Sequence, residues 1–359
     1  MLSLLLALVP ALALAASEPI TVVHKMSAGR QLHVQISKPD AGKPTFLFLP
    51  GVNRSLLLSE PAAKELIKNG NGVVAFNFSV QPFSLATLGR GEKPAFYSDD
   101  VTLETLAGET ESVAKGLADQ YGMKNIIPVS LSYSGAVSRF LKGPKMAIDA
   151  VPLSSMAAFS PELAQYRNWL KSGELFNPFF GPAITRNALD QAYRTQWTQQ
   201  VDAITQQFKL PRDRSSEMVD GYIRLSRATE GFDWKNVGDI VKRSFVLAAK
   251  ENPVMLRHQI EVIRERLVAG SNESVFIMQE SGHVIPADQP VAYAKVLELV
   301  ASGKNKPGVT LVTPSTSEFK SLGMQESIQV LDKALKELPS TPTGSRETAP
   351  KNDKMPGTL

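Results

Sequence analysis

Residues 126–137, which read Ile-Ile-Pro-Val-Ser-Leu-Ser-Tyr-Ser-Gly-Ala-Val, decide the fold of this chain. An apolar run ends abruptly in a cluster of small residues, and a helix-compatible run follows at once. This pattern predicts a buried strand, a very tight turn and a helix, with Ser132 at the tip of the turn. Ser130 and Ser134 are small, as such a turn requires, because the strand and helix backbones pass too close together for bulky side chains. Ser132 would then be strained, with its hydroxyl above the sheet.

The sequence before this stretch alternates strand and helix patterns. Continuous apolar runs at residues 45–49 and 73–79 predict buried parallel strands, and helical patterns at 59–70 and 100–121 follow them. This order predicts right-handed crossovers and an α/β fold with a mostly parallel, doubly wound sheet. Pro128 removes one ladder donor from a central strand, so the strand either pairs on one side there or begins later.

The strand–turn–helix pattern and its position in this order resemble the α/β-hydrolase family, in which the nucleophile lies in a Gly-x-Ser-x-Gly turn. Both glycine positions are serine in this chain, at Ser130 and Ser134. The resemblance covers about residues 19–302 and depends on the loops after three buried strands rather than on any single motif. It implies that Ser132 is a nucleophile.

The resemblance also implies an oxyanion hole made of two backbone N–H groups. One belongs to Tyr133, directly after the nucleophile. The other is matched to Val52, which follows Gly51 in the loop after the strand at 45–49. Pro50 stands where the family usually has a histidine before that glycine.

A serine nucleophile needs a base, and histidine can take and return a proton near neutral pH because its ordinary pKa is about 6.5. The family order is nucleophile, acid, histidine. Two of the four histidines, His24 and His33, precede Ser132 on a predicted edge hairpin. His258 lies within a helical run, whereas His283 follows the last predicted strand of the family pattern, so His283 is the expected base.

The acid is harder to assign from the sequence. The family pattern aligns Asn252 with the usual aspartate, and Glu251 stands one residue earlier in the same loop. Asp149 is expected at the beginning of its strand, at the wrong edge of the sheet. Glu251 is therefore the best-placed carboxylate, and Asn252 is the alternative acid position.

The bulk composition excludes several classes of protein. The chain has 359 residues, 43% hydrophobic and 21% charged, with a net charge of +4 and a pI near 9.0. It has no cysteine, which excludes disulfides, thiolate chemistry and cysteine zinc sites. No dense basic run is interleaved with aromatic residues, so a nucleic-acid partner is not expected.

Residues 1–16 are apolar and end in small residues, which is typical of a signal peptide cleaved near Ala15 to Ser17. No Lys or Arg precedes the run, and an uncleaved N-terminal anchor is the alternative. The expected location is the periplasm or the exterior, with no integral membrane span after cleavage.

The remaining sequence suggests how the chain is divided. A helical cap is expected between the sheet strands, before the last two of them, with an apolar stripe on one helix. Phe176, Phe179 and Phe180 could line an apolar substrate pocket or anchor this cap. The expected segments are a signal peptide (1–16), an α/β-hydrolase core (17–153 and 242–302), a helical cap (154–241), a C-terminal extension (303–338) and a disordered tail (339–359).

These observations predict an exported serine hydrolase that cleaves a small-molecule carboxylic ester through an acyl-enzyme, with an apolar acyl group compatible with the expected pocket. The chemistry needs no metal ion or organic cofactor. A peptidase or amidase of the same fold is one alternative. A catalytically silent binding protein is the other, and it is motivated by the departures at Ser130, Ser134, Pro50 and Asn252.

Overall fold

The computed structural model describes residues 18–143, 146–150, 169–174, 177, 179–230, 232 and 242–339. The predicted signal peptide, Phe176, most of the predicted tail and parts of the predicted cap lie outside the described residues. The strands are β1 (Ile20–Lys25), β2 (Gln31–Ser37), β3 (Thr45–Leu49), β4 (Gly72–Phe76), β5 (Ile126–Leu131), β6 (Met146–Ala150), β7 (Lys242–Ala248), β8 (Ser274–Met278), β9 (Gly308–Thr313) and β10 (Glu318–Ser321).

The helices include α1 (Pro61–Lys68), α2 (Pro82–Leu85), α3 (Leu103–Tyr121), α4 (Ser134–Val137), α5 (Gly181–Phe208), α6 (Ser215–Ala228), α7 (Pro253–Val268), α8 (Ile285–Asp288), α9 (Pro290–Ala301) and α10 (Met324–Glu337). No helix in the described parts of the chain combines the length and the apolar character that crossing a bilayer requires.

The ten strands of the described residues form one sheet in the order β1-β2-β4-β3-β5-β6-β7-β8-β9-β10. The strands from β4 to β9 are parallel, while β2 joins β4, and β10 joins β9, in antiparallel fashion. The predicted α/β class and mostly parallel sheet are therefore confirmed. The carboxyl ends of β3, β5, β7 and β8 meet at one edge, so the loops that follow them come together there.

Alternating side chains of the central strands build a separate core on each face of the sheet. Phe46 and Phe48 pack with α1 and α9 on one face, and Leu47 and Leu49 pack with α3, α7 and α10 on the other. A fully buried phenylalanine contributes roughly 1.5–3 kcal/mol relative to an exposed one. Burial on both faces explains why β3 reads as a continuous apolar run.

Pro128 lies within β5, where it is paired with Leu47 of β3. The ladder between β5 and β6 begins only at Val129, opposite Ile148. Pairing at Pro128 is thus one-sided, and the missing N–H does not interrupt a second ladder.

The expectation of two sheet strands after the helical insertion was wrong, since β7, β8, β9 and β10 all follow it. Residues 308–321, which lie in the expected C-terminal extension, add two strands to the main sheet. Gly308–Thr313 is rich in valine and threonine, and its β-branched residues were an available signal for a strand.

Helices α5 and α6 stand between β6 and β7 in the chain and pack against each other through the predicted apolar stripe. Trp197 of α5 stacks on Tyr222 of α6, with ring centroids 4.9 Å apart. Gly221 lies against the carbonyl oxygen of Val80, where a Cβ atom would collide with the backbone. Because of this close approach, α6 lies directly on the segment that follows β4.

Phe179 and Phe180, at the beginning of α5, are 89% and 69% exposed. Neither side chain anchors the insertion to the core. Neither is enclosed as the lining of a buried pocket would be.

Candidate active site

Ser132 lies in the turn between β5 and α4, with a φ of +53°. This left-handed conformation is unusual for a residue with a side chain and costs on the order of 1–3 kcal/mol. The Ser134 hydroxyl accepts a hydrogen bond from the N–H of Leu131 at 2.7 Å, which closes the turn on the strand side. The strained strand–turn–helix predicted from the sequence is present.

His283 lies in the loop after β8, as predicted, and its ring reaches Ser132. Its Nε2 is 2.9 Å from the Ser132 Oγ, and its Nδ1 is 2.5 Å from the Glu251 Oε2. A carboxylate can only accept, so the Nδ1 carries the proton and the Nε2 is free to accept from the serine hydroxyl. Sequence positions 132, 251 and 283 thus form one hydrogen-bonded series.

The loop that carries His283 is held to the loop after β7. The N–H of Lys250 donates to the Ser281 carbonyl at 2.9 Å, and the Asp288 carboxylate accepts from the Gly282 N–H at 2.7 Å. The first bond ties the two loops together one residue before Glu251. The second fixes the backbone directly before His283.

Glu251 is buried, and both of its carboxylate oxygens are occupied. Oε2 faces His283, and Oε1 accepts from the N–H of Asn252 at 2.7 Å. Asn252 itself is the N-cap of α7, and its Oδ1 accepts from the N–H of Val254 at 3.0 Å. Of the two residues that the sequence left open, Glu251 is the one in contact with the imidazole.

The backbone N–H groups of Val52 and Tyr133 have no acceptor among the residues that the structure describes. Tyr133 directly follows the serine. Gly51 is so close that a Cβ built on it would lie 3.9 Å from the Ser132 Cβ. Its own N–H is used in a turn, donating to the Arg54 carbonyl at 3.1 Å. Both N–H groups are therefore available to an acceptor, and their role in an oxyanion hole stays a prediction from the resemblance.

Asp149 is not at the beginning of its strand, as the sequence suggested, but is the fourth residue of β6 and is fully buried. Its carboxylate accepts from the hydroxyls of Ser130 at 2.5 Å and Ser138 at 3.0 Å, and from Arg139 at 2.8 Å and Arg243 at 3.3 Å. Burial alone would raise the pKa of Asp149, but the two guanidinium groups and the two serine hydroxyls together outweigh it and lower the pKa. This cluster lies directly beneath the turn, and sequence reasoning missed it.

The other histidines are engaged elsewhere. His24 on β1 bonds the Ser112 hydroxyl at 2.9 Å, and burial lowers its pKa. His33 on β2 lies 3.4 Å from the Asn77 amide, and His258 lies on α7 near Glu261. Across the described ranges, no group of three or more acidic or histidine side chains could hold a metal ion.

Comparison with known proteins shows similarity in structure but not in sequence. No protein-family model matches this sequence, and no curated protein matches it. An esterase from Exiguobacterium antarcticum superposes with a TM-score of 0.52 at 14% identity, over 79% of this chain and 100% of the esterase. The α/β hydrolase GrgF from Penicillium sp. sh18 also gives a TM-score of 0.52 at 14% identity, over 80% of this chain and 99% of the other. Both likenesses cover the mostly parallel sheet and its flanking helices, and this chain therefore has the α/β-hydrolase fold.

Proposed function

We propose that this protein is an exported serine hydrolase that cleaves a carboxylic ester through an acyl-enzyme. The observation that supports it best is the hydrogen-bonded series from Glu251 through His283 to Ser132, with the serine in a left-handed turn. Geometry of this kind activates a hydroxyl that is otherwise a poor nucleophile.

In the first half-reaction the Ser132 Oγ attacks the ester carbonyl carbon, and its proton passes to the His283 Nε2. The negative charge that develops on the carbonyl oxygen is stabilised by the N–H groups of Val52 and Tyr133. The tetrahedral intermediate then collapses. The C–O bond to the alcohol breaks, and the leaving oxygen takes the proton from His283.

In the second half-reaction His283 takes a proton from water while the water oxygen attacks the acyl carbon. The second tetrahedral intermediate then collapses: the bond from the acyl carbon to the Ser132 Oγ breaks, that oxygen takes the proton back from His283, and the carboxylic acid is released. Throughout, Glu251 keeps the ring in the tautomer that presents an unprotonated Nε2 and stabilises the imidazolium that forms in each half. These steps use no metal ion and no organic cofactor.

A fluorophosphonate probe tests the proposal, because it reacts with activated serine hydroxyls. Labelling that disappears in Ser132→Ala supports the proposal, while absent labelling in folded wild-type protein favours the silent binding protein. A panel of p-nitrophenyl esters and aminoacyl anilides then separates an esterase from a peptidase or amidase. Turnover of anilides above esters would overturn the ester assignment.

The proposal of export is supported by residues 1–16 and has its own test. Expression of the full chain with its N-terminus intact, followed by fractionation and mass measurement, should give an exported product that begins near Ala15 to Ser17. A full-length product in the membrane fraction would instead indicate an uncleaved anchor.

A further inference from the structure

Gln81 lies behind the loop that carries the unpaired N–H of Val52. Its side chain is fully buried, and its Oε1 accepts from the N–H of Phe78 at 2.9 Å. Its Nε2 donates to two successive backbone carbonyls, those of Gly51 at 2.7 Å and Val52 at 2.9 Å. The amide orientation is dictated by these partners, since an N–H donates to one side of it and two carbonyl oxygens accept on the other.

The peptide group between Gly51 and Val52 is planar and trans, like every other peptide bond described. The carbonyl of Gly51 and the N–H of Val52 therefore point in opposite directions from one rigid plane. A side chain that holds the carbonyl also fixes the direction of the N–H. Gln81 holds this plane by its carbonyl side, through the bond to the Gly51 oxygen.

The next carbonyl in the loop is held in the same way. The Tyr222 hydroxyl of α6 donates to the Asn53 carbonyl at 2.9 Å. Three successive carbonyls, at positions 51, 52 and 53, are thus occupied by two buried side chains from outside the loop. The Val52 N–H is left without an acceptor within the described residues.

We infer that Gln81 is a positioning residue for the oxyanion hole, which aims the Val52 N–H by holding the Gly51 carbonyl of the same peptide plane. This inference rests on the proposed function, in which that N–H stabilises the oxyanion. Gln81 touches no reacting atom. Its effect should therefore appear in the transition state, where charge is on the oxygen, and hardly at all in substrate binding.

Gln81→Met tests the inference, because methionine keeps the length of the side chain and removes both donors. Removing one oxyanion donor, or displacing a group by about 1 Å, lowers turnover by about 10²-fold or more. For a donor that is only less well aimed, we expect a fall in kcat of about 10- to 100-fold on a p-nitrophenyl ester, with KM changed less than about threefold. A fall of less than about threefold in kcat would overturn the inference.

A thionoester with the same acyl and alcohol groups distinguishes a misdirected Val52 N–H from general damage to the site. Sulfur accepts hydrogen bonds weakly, so a thionoester gains less from the oxyanion hole than the oxygen ester does. The ratio of oxygen-ester to thionoester turnover should fall in Gln81→Met by a factor similar to the loss in kcat. An equal loss on both substrates would assign Gln81 a purely structural role and would overturn the inference.

Asn71→Leu is the matched control. Asn71 is also a buried amide that donates to a backbone carbonyl, that of Leu66 at 3.2 Å, but it lies at the opposite edge of the sheet. Asn71→Leu should lower the melting temperature without changing the ratio of oxygen-ester to thionoester turnover. If Gln81→Met yields no folded protein, Gln81→Asn replaces it, because the shorter amide cannot reach both carbonyls, and the same fall in ratio is expected.

Measurements on the wild-type protein distinguish a failure of the proposed function from a failure of the role inferred for Gln81. Fluorophosphonate labelling and ester turnover that both depend on Ser132 support the proposed function whatever the Gln81 variants do. Folded wild-type protein with neither property would overturn the proposed function and the role of Gln81 with it.

Discussion

Replacing Glu251 with glutamine should disable the proposed base by changing the tautomer of His283. The carboxylate accepts from the Asn252 N–H at 2.7 Å through Oε1 and from the His283 Nδ1 at 2.5 Å through Oε2. A glutamine has only one oxygen for these two donors. If that oxygen stays with Asn252, the amide NH₂ faces Nδ1, which must then be unprotonated. The ring proton moves to Nε2, which can no longer accept the proton of Ser132.

The structure also sets the size of the expected loss in kcat. Turning the amide the other way would break the half-buried bond from the Asn252 N–H, at about 0.5–1.5 kcal/mol. With 1.4 kcal/mol for each factor of ten, this favours the wrong tautomer about 2- to 10-fold. Loss of the charge beside the imidazolium removes a charged hydrogen bond of about 1.5–3 kcal/mol, or another 10- to 150-fold. Since the corresponding change in the serine-protease template costs ~10⁴, a loss of about 10²- to 10⁴-fold in kcat is expected.

Initial rates on a p-nitrophenyl ester and the rate of fluorophosphonate labelling both measure this effect. Asn252→Ala is the control, because it removes the N-cap of α7 and about 1 kcal/mol of stability while leaving Glu251 in place. Its kcat should stay within a few fold of wild type. A Glu251→Gln variant whose kcat stays within tenfold of wild type would contradict this role of Glu251, and a large loss in Asn252→Ala alone would assign the orientation of His283 to Asn252.

Three further variants probe the supports of the site. Ser134→Ala leaves the half-buried Leu131 N–H unpaired and should lower the free energy of unfolding by about 1 kcal/mol in a denaturant titration; an unchanged value would contradict this. Asp149→Asn leaves two buried guanidinium groups without their carboxylate and should cost about 3–5 kcal/mol at pH 7. Because the folded pKa of Asp149 is lowered, its stabilisation is present above its ordinary pKa of about 3.9 and is lost as the pH falls through the folded value, so wild type and variant should converge in acid. Curves of unfolding free energy against pH that stay parallel for wild type and Asp149→Asn would disprove that account. Tyr222→Phe keeps the ring stack but frees the Asn53 carbonyl, and kcat should fall less than in Gln81→Met, because the Asn53 carbonyl belongs to a different peptide plane from the Val52 N–H.

Much of the fold follows from local patterns in the sequence. The apolar runs of β3, β4 and β5 are short, continuous and bounded by turn residues, so they read clearly as buried strands. Their order along the chain then restricts the topology to a few parallel arrangements. The hairpin formed by β9 and β10 was missed because the family resemblance ends before it, although β9 is as long as β5.

The sequence predicts a site residue when that residue directly follows a buried strand. It does not predict a residue whose role depends on a contact with a distant part of the chain. Ser132, His283 and Glu251 each follow a buried strand, so the sheet edge brings them together; their catalytic roles remain predictions. Gln81 bonds a loop 30 residues earlier in the chain, and no local pattern announces that contact. Asp149 gave a misleading signal, because an acidic residue in a short apolar run suggests a strand end rather than a buried ion cluster.

The departures from the family turn bear on whether the site is active. Ser130, in the first glycine position, donates to Asp149, and Ser134, in the second, pairs with the Leu131 N–H. Both added hydroxyls therefore have hydrogen-bond partners within the protein, and the turn keeps its shape around Ser132. The left-handed conformation at Ser132 costs on the order of 1–3 kcal/mol, which a protein that only binds would gain by relaxing the turn. Retention of that strain, together with the hydrogen bond from the same serine to His283, favours a working hydrolase over a silent scaffold.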